Sequence, residues 1–234
     1  MLAGAVSVYS QGLVTFADYS GAMQQQVFGY QSSAPTSGGN PIASTSVTLN
    51  GYTVSEYQGS TAAANELSPG TTVYAANTAL SGTGFDAQLL AAAGSGDSIG
   101  SLTAQGGILH FNTTASSVGF AKGSSAVTLG AGQSGAITVA FAAWVINAGG
   151  DKGAATTLAQ AQADALADAA ENNDGGYAWG VSTTANLTVN NSLPTAMPQS
   201  IQGFSLGQAA STPEPSTIAL GVIGVSTLLF RRRK

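Results

Sequence analysis

A chain of 234 residues can form one domain with a core of ordinary size, yet only 7% of its residues are charged, against roughly 25% in typical soluble domains. With the four terminal cations set aside, two lysines, Lys122 and Lys152, face eleven carboxylates, a net charge of −9 over residues 1–230, which excludes nucleic acid as a partner. Cysteine is absent, so disulfides, thiol catalysis and thiolate-bound metals are excluded together, and the fold must stand on its core.

Met1–Ser10 (MLAGAVSVYS) is small and apolar, with no Lys or Arg ahead of it. It reads as the back half of a secretory signal peptide whose basic front is missing, with a first strand as the alternative. Val8 and Ser10 suit the −3 and −1 positions of a cleavage site, which makes Gln11 the first mature residue. From Gln11 the pattern is β. Leu13–Phe16 is a short strand closed by Asp18 and Gly21, and Gln26–Tyr30 is the next. Residues 31–41 (QSSAPTSGGNP) form a loop by composition. Ser46–Leu49 and Tyr52–Ser55 flank Asn50-Gly51, the strongest hairpin signal in the chain. Thr72–Ala75 is a further strand. Phe85–Leu90 alternates, with Phe85, Ala87 and Leu89 on one face and Asp86 and Gln88 on the other.

Residues 94–100 (GSGDSIG) turn the chain, and Ile108–Phe111 and Ser117–Ala121 return to strand. Ala136–Val145 (AITVAFAAWV) is the best core strand, uninterrupted in its apolar character and rich in β-branched and aromatic residues. One helix is expected, over Ala154–Glu171. Leu158, Ala161, Ala165 and Ala169 line one stripe of it, with Leu166 at the edge, and Asp164, Asp168 and Glu171 lie on another face. Tyr177–Val181, Ala185–Val189 and Ile201–Leu206 are the closing strands. Short strands with Gly-rich turns predict a mainly β domain over residues 11–208, sandwich-like or jelly-roll-like, with this one Ala-rich helix.

The end of the chain has a different composition. A linker, 209–215, carries Pro213-Glu214-Pro215. Ser216–Phe230 follows without a charge, and then Arg231-Arg232-Arg233-Lys234. The prolines forbid helix before Ser216, whereas Ser216 or Thr217 can cap one. In lipid the uncharged run must be helical to satisfy its backbone. As a transmembrane helix it is short, about 22 Å against a hydrocarbon core of about 30 Å, and on length alone a buried core helix, or one ending in a solvated basic tip, is the alternative. Bilayer thinning and snorkelling of the terminal cations narrow that gap. The basic residues 231–234 stay cytoplasmic by the positive-inside rule, so the preceding domain lies across the membrane.

A Pro-Glu-Pro triplet, an uncharged helix and a basic terminus, in that order, resemble the PEP-CTERM sorting signal of exported bacterial proteins, a tail also labelled the ice-binding protein C-terminal domain. The resemblance covers Pro213–Lys234. It implies recognition by an exosortase, removal of the helix near the triplet, a Gram-negative host that makes an exopolysaccharide matrix, and residence at the cell surface or in that matrix. A looser resemblance, to PEP-CTERM proteins of Verrucomicrobia-like bacteria with no established activity, runs through Gly12–Phe16, Gly84–Leu90, Val139–Trp144 and Gly203–Leu206.

No catalytic motif is expected, and no metal or cofactor. His110 is the only histidine. Gly132-Gln133-Ser134-Gly135 misses the G-x-S-x-G spacing of a serine hydrolase, so His110 reads as a satisfied or exposed strand residue. Asp164, Asp168 and Glu171 are oxygen ligands of the type Ca²⁺ takes, but a solvated helix face is the favoured reading, and Asp151 with Asp174 is weaker still. Tyr177 and Trp179 have rings that stack on sugars, with core packing as the default. Asn112-Thr113-Thr114 and Asn186-Leu187-Thr188 fit the N-glycosylation pattern. Three function classes remain: a non-catalytic surface or matrix protein, which is favoured; a module that binds exopolysaccharide; and a glycoside hydrolase or lyase whose paired carboxylates are not adjacent in sequence.

Overall fold

The structure, a computed structural model, describes residues 11–15, 25–62, 70–122, 126–130, 133–146, 153–171, 176–198 and 200–209. The signal-like Met1–Ser10, the sorting motif Pro213–Pro215, the span Ser216–Phe230, the cluster Arg231–Lys234, and Asp151 and Asp174 lie outside these residues. Among the described residues the chain is mainly β, 45% strand and 11% helical with a single α-helix, in agreement with the sequence. None of their helices is long and apolar enough to cross a membrane.

In chain order, β1 (Leu13–Thr15) and β2 (Val27–Phe28) are short. Within the stretch expected to be loop, β3 (Thr36–Ser37) and β4 (Asn40–Pro41) form a small hairpin, because Gly38 and Gly39 take positive φ between them. β5 (Thr45–Leu49) and β6 (Tyr52–Glu56) follow, and β7 (Thr72–Val73) pairs with β3. Asn50 at φ 55° and Gly51 at φ 82° close β5–β6 as the two left-handed turn residues that the Asn-Gly pair promises.

The long strands are β8 (Gly82–Ala93), β9 (Thr103–Phe111) and β12 (Gly135–Val145), with β10 (Ala121–Lys122) and β11 (Ala126–Thr128) between the last two. β9 starts five residues before the expected strand. Gly106-Gly107 is absorbed where the β8–β9 register shifts between Ala87 and Leu89. Ala115–Ser117 is a 3-10 turn, so only Ala121 of the strand expected over Ser117–Ala121 joins a sheet.

The helix α1 runs Leu158–Ala170, later than expected. Thr157 caps it, its side chain accepting from Gln160 N at 3.2 Å. Ala155 upstream is held by the end of β12: its N donates to Ile146 O, and its carbonyl accepts from Trp144 Nε1 at 3.1 Å. The chain closes through β13 (Trp179–Val181), β14 (Ala185–Val189), β15 (Thr195–Ala196), β16 (Phe204–Ser205) and β17 (Gln208–Ala209). Of the strand expected over Ile201–Leu206, only Phe204–Ser205 pairs, in parallel with β2.

The six-stranded sheet runs β10-β9-β8-β12-β13, and β14 pairs with the first half of β12 where β13 pairs with the second. Ser182 bridges these two partners, donating its N–H to Phe141 O and accepting Phe141 N on its hydroxyl. β12 explains why its sequence is apolar throughout. Ile137, Val139, Phe141 and Ala143 enter one core, with Val14, Val27, Phe204 and Leu206 from the short strands and loops. Ala140, Ala142 and Trp144 enter a second core, with Val47, Leu49 and Val54 of the β5–β6 hairpin and Leu158, Ala161, Ala165 and Ala169 of α1. A strand covered on both faces has no polar side to show. Each large side chain fully buried here contributes about 1.5–3 kcal/mol.

Candidate functional site

The β5–β6 hairpin alternates inward and outward, and Val54 and Glu56 both point in. Glu56 is therefore a fully buried carboxyl. Its Oε2 accepts Val181 N at 2.9 Å, and its Oε1 accepts Gln58 Nε2 at 2.7 Å. Gly180 makes room for it. A Cβ there would lie 2.8 Å from Glu56 Oε2 and 2.9 Å from Ser205 O. Burial strips water from the carboxylate and raises its pKa from the ordinary 4.5 to about 8, while the bonds from Gln58 and Val181 pull the other way.

Gln58 also donates to Val181 O at 3.1 Å, so both Nε2 hydrogens are spent inward. The rest of Gln58 lines a polar cleft of about 490 Å³ with Ser37, Ser60, Thr71, Thr72 and Gln202. Among the described residues no charged side chain lines this cleft, and Ile42 is its one large apolar wall. Four separate segments build it, held by Gly59 N to Gly203 O, Thr72 N to Ser60 O and Gly70 N to Thr61 O. Thr71 and Thr72 also border a second, more apolar groove of about 410 Å³. There Phe28 and Tyr74 stack with centroids 3.9 Å apart.

A second polar group crosses the large sheet. Trp179, Trp144, Asp86, His110 and Lys122 are paired in register on β13, β12, β8, β9 and β10. The row runs from buried tryptophans to an exposed lysine. His110 Nδ1 meets Asp86 Oδ1 at 2.7 Å, with the imidazole half exposed and the carboxylate buried. Desolvation raises the Asp86 pKa, and the charge and hydrogen bond of His110 oppose the rise. The histidine is thus both exposed and partnered. Ser134 does not join it. It precedes β12, ten residues from the level of Trp144 and His110, which is roughly 30 Å of strand.

The helix acids divide differently from the expectation of a solvated face. At about 100° per residue, Asp168 flanks the arc of Leu158, Ala161, Ala165 and Ala169, about 20° beyond Ala161, and is buried with them. Gln162 flanks the other side of the arc, donating to Leu49 O at 3.3 Å and accepting from Asn50 Nδ2 at 3.1 Å, which ties α1 to the hairpin turn. Asp164 is half-buried, while Glu171 and Leu166 are exposed. No three His, Asp or Glu side chains gather as metal ligands among the described residues.

Tyr177 and Trp179 belong to the second core, closed to a sugar ring, so the default reading holds for both. Both sequon asparagines are engaged in the fold: Asn112 Nδ2 donates to Phe120 O at 3.1 Å, and Asn186 Oδ1 accepts Gly96 N at 2.8 Å.

Glu56 and Gln58 were missing from the sequence-derived candidates. The alternation through Val54 would have found Glu56. The cleft carries no local signal, because its Ser, Thr, Gly and Gln residues read as ordinary loop. No protein-family model, no curated protein and no solved structure matches the chain.

Proposed function

We propose that this is an exported bacterial surface or matrix protein, delivered by a PEP-CTERM signal, processed by an exosortase, and without catalytic activity of its own. The observation that carries this reading is the order of parts in the tail: Pro213-Glu214-Pro215, the uncharged Ser216–Phe230, and Arg231–Lys234. A low-charge β domain with no cysteine, able to stand on two apolar cores, supports it. The finer fold reading belongs to the same proposal. The long sheet and the short strands β1, β2, β11 and β16 form a jelly-roll-like sandwich about the first core, and the helix with its hairpin adds a layer on the other side.

Deleting Pro213–Lys234 is expected to leave the protein exported but missorted. Unchanged surface retention of the deletion would contradict the sorting role. The mass of the protein recovered from the cell surface tests the same reading, with a start at Gln11 and loss of the segment beyond the triplet expected.

A second reading, binding of matrix carbohydrate, is favoured by one observation. Among the described residues the polar cleft is lined by hydroxyls and amides, with no charged side chain. Uncharged polyols are recognised by such groups. Trp179 plays no direct part in this reading, since it is buried.

A further inference from the structure

We propose that the cleft between Ser37, Gln58, Thr71 and Gln202 binds a neutral glycan, with Gln58 Oε1 as a fixed acceptor for a sugar hydroxyl and Glu56 as the residue that positions it. This rests on the carbohydrate-binding reading and narrows it to one site and one chemical class.

The amide of Gln58 has a single orientation. Its Nε2 sits between two acceptors, the Glu56 carboxyl at 2.7 Å and Val181 O at 3.1 Å. Rotating the amide by half a turn would set its oxygen against the Val181 carbonyl, which has no proton to give. With both N–H groups committed, Oε1 is what Gln58 has left for the cleft, and it meets no donor among the described residues. Opposite polarity comes from the hydroxyls. Ser37 Oγ and Thr71 Oγ1 share one hydrogen bond at 2.6 Å, which uses one of their two protons and leaves the other to donate. Gln202 and Ser200 add exposed polar side chains at the rim, and Ile42 gives an apolar wall for the C–H face of a ring.

Among the described residues the cleft is lined by hydroxyls and amides, with no cation or carboxylate, and that lining sets the class. A uronate or phosphate entering here would lose hydration with no charge to replace it, so an uncharged sugar is preferred. The volume of about 490 Å³ lies within the about 300–1,000 Å³ of small-molecule sites. Glu56 acts only through Gln58. It is sealed behind it and touches no ligand.

The test uses the full chain in affinity electrophoresis through gels cast with dextran, a galactan, a mannan or alginate. Retardation by at least one neutral polymer, and none by alginate, is expected. Ser200→Ala and Gln202→Ala, both at exposed positions, should weaken retardation several-fold with thermal stability unchanged. Gln58→Met should abolish it. Glu56→Gln should weaken it with the same polymer preference, which a general loss of fold would not preserve. If the wild type passes every neutral gel freely, the carbohydrate reading and the cleft assignment fall together. If the wild type is retarded and the Gln58, Ser200 and Gln202 variants are retarded equally, carbohydrate binding stands and this site is overturned.

Discussion

Glu56 shows what one side chain can do to the pH response of a whole domain. Its folded pKa of about 8 lies above the 4.5 of the unfolded chain. Below pH 4.5 both states hold the proton, and the carboxyl costs nothing. Between pH 4.5 and about 8 the unfolded state sheds it while the folded state keeps it, so stability falls as pH rises through that window. Glu56→Gln removes the titration, and the melting temperature of the variant is expected to be flatter than wild type from pH 5 to 8. Parallel curves would show that another group governs the slope.

The two tryptophans give a second comparison at this scale. They face each other in register and both are fully buried, but Trp144 Nε1 donates to Ala155 O while Trp179 Nε1 meets no acceptor among the described residues. Replacing either with Phe opens a similar void. Trp144→Phe also orphans a carbonyl, whereas Trp179→Phe deletes an unsatisfied donor. Trp144→Phe should therefore be the more destabilising by about 1–2 kcal/mol in denaturant melts.

At the scale of elements, the β5–β6 hairpin is the clearest case of a turn dictated by two residues. A Cβ on Gly51 would meet nothing within 4 Å, so the cost of Gly51→Ala is all backbone, at φ 82°. A loss of about 1 kcal/mol, read as a lower urea midpoint with unchanged slope, is expected.

What could be read from the sequence follows the same division. Asn50-Gly51, the alternation of Phe85–Leu89 and the apolar run of β12 are local signals, and each corresponds to its element in the structure. The helix was legible in kind but not in its first turn, because Ala154–Thr156 has helical composition and is held out of the helix by Ile146 and Trp144 at the end of the preceding strand. The early start of β9, at Thr103 instead of Ile108, has the converse reason, with Gly106-Gly107 inside the strand. A bulge within a long strand and a break between two strands have the same local composition. The burial of Asp168 depends on which arc α1 presents to the sheet, and the polar cleft on four segments meeting, so neither is written in any one stretch.

For the whole molecule, the proposed sorting role and the described domain make separate demands. In the proposal the tail decides where the chain is held, and the two cores on either side of the long sheet decide whether what is held stays folded. Removing Pro213–Lys234 should change the location of the protein and leave its melting temperature alone. A large drop in the melting temperature of the purified deletion would mean that the tail packs on the domain, against the proposal.

The double burial of β12 has a further cost that arises before the fold exists. Gly135–Val145 carries no charge, no proline and one hydroxyl, so the newly made polypeptide displays an eleven-residue strand with strong β preference and no gatekeeper residue within it. If the chain is exported as proposed, it must stay unpaired until it has crossed. This segment is where self-association would begin, and where an escorting chaperone would have the most to cover.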